Sequence, residues 1–333
     1  MIVEPLSLTK LHFRLFCSQM EKYEDDRPAL NERSNIIYVE VSVYYLVVAV
    51  SLCAVLFLAT HDFKIWHPIL YMLAFFSIGW SQFCLNHALH EALHKNFGKK
   101  HNEFLAALIT AYPIGFTMGY RRIHLDHHRY FGDKDNDPDY GGYCNFPKSK
   151  MQFLGRLLYN ISGIPAVLQF FKEHTSPKKK EERAEKEKEA THVLFKLAAV
   201  HLVILSLFIL IFMKVHLLAG FFSYGFFWVL PLVTVAKFCN STRLLCEHGS
   251  PKNQLVYRTI TGNFFQTQSL GAFKFYYHGE HHIKPNIPYT KLKDAKETLN
   301  LNVKNKNIVY EEYNHGYLSL LIKWFREVPL IQI

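Results

Sequence analysis

The chain has 333 residues, half of them hydrophobic, with a net charge of +10 and nineteen histidines. Its length would allow two soluble domains, but the apolar residues are gathered into long blocks between very polar loops, so one membrane-embedded unit is expected. The positive charge concentrates in those loops with no base-stacking module beside it, which excludes a nucleic-acid-binding protein and leaves membrane orientation as its cause.

Met1 to Ser34 is mixed and charged, and the apolar run behind it is too long for a signal h-region. A cytosolic N-terminal segment over 1–35, without a cleavable leader, is expected. Four stretches are then long enough to cross a bilayer, which takes about 20 apolar residues: Ile36–Ala59, His67–Leu85, Val193–Met213 and Leu217–Lys237. The short turns His61–Trp66 and Lys214–His216 pair them as two helical hairpins. Two further apolar segments, Phe104–Met118 and Met151–Phe171, are interrupted by Pro113, Gly115, Gly163 and Pro165 and read as interfacial or re-entrant helices. Lys178–Ala190 is a charged helix or a solvated loop without chemistry. The predicted fold is an all-α integral membrane protein: four transmembrane helices in two hairpins, interfacial helices and a cytosolic histidine-rich cap, with 36–333 as one membrane domain. The cysteines, Cys17, Cys53, Cys84, Cys144, Cys239 and Cys246, form no C-x-x-C pair and read as small core residues.

Three histidine clusters follow the apolar stretches: His90-Glu-Ala-Leu-His94, His124-Leu-Asp-His127-His128 and His278-Gly-Glu-His281-His282. Residues three and four apart share one helix face, so each cluster points two or three imidazoles at one spot. With the N-terminus cytosolic, the second and fourth spans each return the chain to the cytosol just before a cluster. All three then lie on one side of the membrane. The loop between the second and third spans carries seventeen Lys and Arg, including Lys178-Lys-Lys180, and the two opposite turns carry almost none, which independently places the clusters and both termini in the cytosol.

His90–His94 is a literal H-E-x-x-H, the signature of a zinc metalloprotease. Such a site needs one more protein ligand and an open position, and the chain supplies far more. A membrane protease would also show an Asp-Gly motif in a later span, and the last two spans hold no aspartate. A surface or pH-sensing histidine run is the bland alternative for the second cluster, but the same H-x-x-H-H spacing returns about 150 residues later. The run Asp133, Asp135, Asp137, Asp139 is not a calcium loop, since Pro138 and Cys144 stand where that loop needs Gly and Glu. A metal transporter would need polar ligands inside the spans. His248, about ten residues past the fourth span on the cluster side, is a further candidate ligand. His87 shares a face with His90 but would crowd it and is left out. His12, His61, His67, His101, His174, His192, His201, His216 and His315 lack metal-like spacing and read as structural.

Imidazole suits zinc, copper, iron and nickel. Structural zinc is satisfied by four ligands, so eight or nine histidines imply two ions. Two ions near a lipid phase, with nitrogen ligands and no thiolates, favour oxygen-activating iron over hydrolytic zinc, while ligand identity alone leaves di-zinc and di-copper open. Glu91, Asp126, Glu247 and Glu280 each adjoin a histidine and are candidates to accept the outer N–H of a metal-bound ring.

At these residues the chain resembles the membrane fatty acid desaturase superfamily, marked by H-x3/4-H, H-x2/3-H-H and [H/Q]-x2/3-H-H boxes. His281-His282-Ile-Lys-Pro-Asn-Ile-Pro-Tyr289 is similar to the family's H-H-x-x-P-x-x-P ending, and His128-Arg-Tyr-Phe-Gly followed by Asp137-Pro-Asp139 to its second-box extension. The resemblance covers about Ile36 to Leu292. It implies a di-iron centre with one more histidine between the fourth span and the third box, a place that His248 fits, completing His90, His94, His124, His127, His128, His248, His278, His281 and His282. Arg243-x3-Glu247-His248 is similar to the pattern of acyl-lipid and carotenoid-type members. Asp137 and Arg243 therefore join the residues expected behind the ligands. No His-Pro-Gly-Gly of a fused cytochrome b5 domain occurs, so a separate electron donor of ferredoxin or cytochrome b5 type is implied, together with dioxygen.

The implied reaction is desaturation of a fatty acyl chain, with hydroxylation or ketolation of a lipid or carotenoid as the alternative. Substrate placement, which histidine spacing does not report, separates the outcomes. The substrate is expected to be a long apolar chain entering between helices. Phe75, Phe76, Trp80, Phe226, Phe227 and Trp228 are candidates to line its path, against the simpler reading of lipid-facing or packing surface.

Overall fold

The structure is a computed structural model describing residues 34–96, 118–168, 198–213, 215–298 and 308–331. The expectations for 1–33, 104–117, 169–197 and the turn residue Lys214 fall outside the described residues.

Helix α1 (Ser34–Ala59) and helix α2 (His67–Leu93) run antiparallel either side of the turn at 60–66. α2 carries Pro68 in its first turn, where a missing N–H costs nothing and the fixed φ suits the helix. It continues eight residues beyond the predicted span end at Leu85, so that the first histidine pair lies on its last turn. The next helices are α3 (Met118–Tyr130), α4 (Tyr140–Tyr143), α5 (Lys150–Ile161), α6 (Ala198–Phe212) and α7 (Leu217–His248). The cap that follows consists of β1 (Leu255–Ile260), α8 (Phe264–Gln268), α9 (His278–Ile283), α10 (Leu292–Thr298), β2 (Ile308–Tyr313) and α11 (Gly316–Glu327).

Ile36–Ala59, α2 and α7 are long and apolar enough to cross a membrane, whereas the described part of α6 is shorter. Their outer faces are apolar as well, with Val39, Val43, Leu46, Val50 and Phe57 exposed along α1, the surface of a helix that lipid surrounds. Of the six predicted path-lining aromatics, Phe75, Phe227 and Trp228 are buried in the core while Phe76 and Phe226 are exposed.

α7 is one rod with two π-helical turns, Gly225–Val229 and Leu232–Ala236, either side of Pro231. Proline lacks the N–H of the regular ladder, and wide turns beside it absorb the mismatch. α6 lies close along α7 at Gly220, where a Cβ would stand 2.6 Å from Ile209 Cα.

The all-helical expectation needs one correction. β1 and β2 pair in parallel, Leu255 opposite Ile308 through Ile260 opposite Tyr313. Both are six-residue runs of β-branched and aromatic residues, which suit a pleated surface and are too short for a helix. Arg258 locks the pair by donating from Nε and Nη2 to Glu311 Oε2 at 3.0 and 2.7 Å.

Candidate metal centre

Four helices bring their histidines to one place. His90 lies on the last turn of α2 and His94 caps it. α3 carries His124, His127 and His128; α7 ends on His248; α9 is formed by the third cluster itself. In H-x-x-H-H the first and last residues share a face, whereas the adjacent pair diverges by about 100°. Each H-x-x-H-H box therefore serves two directions at once, whereas His90 and His94, four apart, serve one.

The rings sort accordingly. Ligating atoms of His90, His94, His124, His128 and His281 all lie within 4.8 Å of one another, and those of His127, His248 and His282 form a second such group. His278 adjoins the second, its Nε2 standing 2.9 Å from His248 Nε2 and 3.0 Å from His282 Nε2. The groups touch where the His128 and His282 ring centroids approach to 4.2 Å. All nine predicted ligands are thus gathered, including His248. His87 is in neither group; its buried ring sits edge-on between Phe83 and Phe275, with centroids 4.6 Å from each.

Hydrogen bonding does not account for this packing. His124 Nε2 faces His94 Nε2 at 2.7 Å and His128 Nε2 at 3.0 Å, and His128 Nε2 also faces His281 Nε2 at 3.1 Å. A neutral imidazole has one N–H and each Nε2 can donate or accept once, so in chains of three and four converging Nε2 atoms at least one contact in each goes without a hydrogen bond. Both nitrogens of His90, and Nδ1 of His94, His128, His278, His281 and His282, are buried without a hydrogen-bond partner among the described residues. Nitrogens bound at about 2.1 Å and at right angles around one ion would stand about 3 Å apart, the spacing found here. The donor set, all imidazole and no thiolate, fits borderline transition metals. No described cysteine joins either group; Cys84, Cys239 and Cys246 are core residues as expected, whereas Cys144 is half-buried and Cys53 is exposed on α1.

Burial also prepares the ligands electronically. Desolvation, with a contribution from the Arg121 charge, holds the His94 pKa at about 3. Desolvation and then neighbouring imidazoles push His124, His128, His278 and His282 well below the ordinary histidine value. Neutral imidazole is the form that binds a cation.

Two rings are held from behind. Asp137 Oδ1 accepts from His127 Nδ1 at 2.9 Å, and Asp137 itself is fixed by Gly132 N at 3.1 Å, Asp139 N at 2.9 Å and the Tyr143 hydroxyl. Burial raises the Asp137 carboxyl, but hydrogen bonds from His127, Tyr143 and the Asp139 amide outweigh it, so the group lies below its ordinary value and stays ionised. The Val256 carbonyl accepts from His248 Nδ1 at 3.0 Å. Each contact turns Nε2 toward the group.

The other predicted carboxylates divide. Glu247 takes Arg243 Nη1 at 2.5 Å and the Tyr317 hydroxyl at 3.0 Å, and its Oε2 stands 3.3 Å from His278 Nε2. Glu91 accepts from Asn96 Nδ2 at 2.8 Å and Tyr289 N at 3.1 Å, with Oε1 3.7 Å from His90 Nδ1. Glu280 faces the strands, bonded to Thr259 Oγ1 and to the Tyr310 hydroxyl at 2.7 Å. Asp126 pairs with Arg129 at 3.3 Å on a partly exposed face.

Phe275, with Tyr143 and Tyr257, is a functional-site residue that sequence reasoning missed. Its buried ring lies 4.4 Å from His90, 4.8 Å from His278 and 4.5 Å from the Arg243 guanidinium. Phe131, Tyr143 and Tyr257 wall the second group in the same way, Phe131 and Tyr257 lying 4.7 Å from His248 and His282 respectively. The only signal for Phe275 was its position, three residues before His278 in an aromatic run.

Comparison with known proteins agrees with this geometry. Residues 64–314 match the family described as fatty acid desaturase. The dihydrorhizobitoxine desaturase of Bradyrhizobium elkanii is 28% identical over 247 residues, covering 68% of this chain and 67% of that protein.

Proposed function

Because the chain belongs to the fatty acid desaturase family, we propose that it is an oxygen-dependent di-iron oxidase that places a C=C bond in a fatty acyl chain of a membrane lipid. The observation that carries this reading is the sorting of nine histidines into two abutting groups. His90, His94, His124, His128 and His281 would hold one iron, and His127, His248, His278 and His282 the other. When bound, the iron pair supplies dioxygen activation strong enough to remove hydrogen from an unactivated C–H. The chain's own residues orient and shield it. Asp137 and the Val256 carbonyl keep the protons of His127 and His248 on Nδ1. Phe275, Phe131 and Tyr257 keep water from the rings.

The relative's name favours desaturation over hydroxylation or ketolation, and the apolar helices favour a lipid as substrate. Residues 36–333 act as one membrane domain of four spans in two hairpins, with 1–35, both termini and the metal centre cytosolic. The charge asymmetry of the loops supports that orientation. Electrons come from a separate carrier of ferredoxin or cytochrome b5 type. An H-E-x-x-H protease has no use for three further histidines beside His90 and His94.

The test is mass spectrometry of total lipids from a host supplied with an electron donor and expressing wild type or His281→Ala. Loss of two hydrogens from an acyl chain in the wild type alone is expected. Gain of one oxygen would replace the desaturase with a hydroxylase, and identical lipids in both hosts would refute a lipid substrate.

A further inference from the structure

Between β1 and α9 the chain makes an excursion that ligation does not require. α8 opens with a capping box, Asn263 Oδ1 accepting from Gln266 N at 3.0 Å and Gln266 Oε1 from Asn263 N at 2.9 Å. It presents Phe264 and Phe265 to the outside, 71% and 83% exposed. Just past it, the Ser269 carbonyl accepts from Trp80 Nε1 at 3.0 Å. Phe273 then packs on Tyr44 with centroids 5.6 Å apart, and Tyr44 meets Trp80 at 5.7 Å.

Those partners measure depth. Trp80 precedes Asn86, where α2 turns polar, by six residues, about 9 Å at 1.5 Å per residue. Tyr44 lies four residues beyond Glu40, the charged residue of the first turns of α1, about 6 Å along that helix. Helical side chains lean toward the N-terminus, which for α2 is the far side of the membrane, so the indole is not reaching up to the surface. Two helices independently place 269–273 below the cytosolic ends of α1 and α2.

The chain then turns back through Phe273 and Lys274, consecutive non-glycine residues with φ of 55° and 52°, a conformation that surrounding structure must enforce. Higher up the two limbs meet, Ile260 N donating to the Tyr276 carbonyl at 2.8 Å.

We propose that residues 263–273 form a re-entrant foot in the cytosolic leaflet beside α1 and α2, with Phe264 and Phe265 against lipid acyl chains. This rests on the reading of α1 and α2 as membrane spans. Non-helical backbone at membrane depth must be satisfied by protein, and the Trp80 bond and the capping box do so. A pair of exposed phenylalanines at that depth then adds to the apolar surface that α1 offers to lipid. The foot rises directly into Phe275 and His278, so a bilayer-resident chain at Phe264 and Phe265 lies at the start of a segment that ends in the metal centre.

A nitroxide label tests it in proteoliposomes of phosphatidylcholine, on a C17S/C53A/C144S background whose remaining cysteines are buried. F265C and F264C are read against V50C, exposed on α1, and K134C, in the exposed loop after α3. The relaxation ratio of oxygen over a water-soluble nickel chelate should be several-fold higher at 264 and 265 than at 134, as at 50. A ratio at both 264 and 265 equal to that at 134, with 50 still lipid-like, overturns the foot and leaves the spans standing. A water-like ratio at 50 overturns both. Monodisperse elution of each labelled protein establishes that it is folded before it is read.

Discussion

Asp137 is the residue on which the orientation of His127 turns. Its carboxylate receives the ring's Nδ1–H and is itself held by two backbone amides and the Tyr143 hydroxyl. Asp137→Asn keeps the shape and an acceptor but removes the charge that favours an electron-rich imidazole. Loss of a partner behind a metal-bound histidine costs about 10–100-fold in metal affinity, so iron affinity should fall by that order, measured by competition with a chelator. Tyr143→Phe, which removes only one of four contacts to Asp137, should cost less. His248 and His87 separate a ligand from a buried ring: His248→Ala should lower the iron content per chain and His87→Ala should leave it unchanged. Equal iron in the two would remove His248 from the second group.

Among the elements, the contact between α2 and α7 carries the centre, since His90 and His94 end one helix and His248 ends the other. The helices approach closely at Gly79, where a Cβ would stand 2.5 Å from Val235 Cβ and 3.0 Å from the Pro231 carbonyl. Small residues permit such approaches between membrane helices. Gly79→Ala should therefore force the helices apart, costing about 1–3 kcal/mol as overpacking does. The melting temperature of the detergent-solubilised protein should fall, with weaker iron retention; an unchanged melting temperature would mean that the helices slide freely there.

Much of this level was legible beforehand. Long apolar runs report helices, and paired histidines at helical spacing report a shared face. What escaped prediction depends on long-range or backbone contacts. β1 and β2 are parallel strands whose partners lie 53 residues apart, as Arg258 and Glu311 do, and neither run is long enough to announce a sheet. The acceptor for His248 is a backbone carbonyl, which has no side-chain signature. The π turns of α7 follow from where Pro231 falls in a packed helix. Asp126 adjoins His127 in sequence yet faces Arg129, because neighbouring residues on a helix point about 100° apart.

For the molecule as a whole, the centre gathers nine imidazoles in a buried place, and their fate without metal follows from that burial. In the metal-free protein desolvation keeps five of them neutral, His94 at about 3 and His124, His128, His278 and His282 well below the usual value. In the unfolded chain the same rings titrate near 6.5. Below that pH the unfolded state binds more protons than the native one, so stability is full above about 6.5 and declines as pH falls toward the folded pKa values. Bound metal opposes the decline because it binds only the assembled site, adding about 4 kcal/mol at a thousandfold excess over Kd. Stripping iron with a chelator should therefore lower the melting temperature at pH 7.5 and make it fall more steeply between pH 7 and pH 5 than in the loaded protein. Parallel melting curves with and without iron would show that the rings are not held neutral by the fold, and that the two groups form only when metal draws them together.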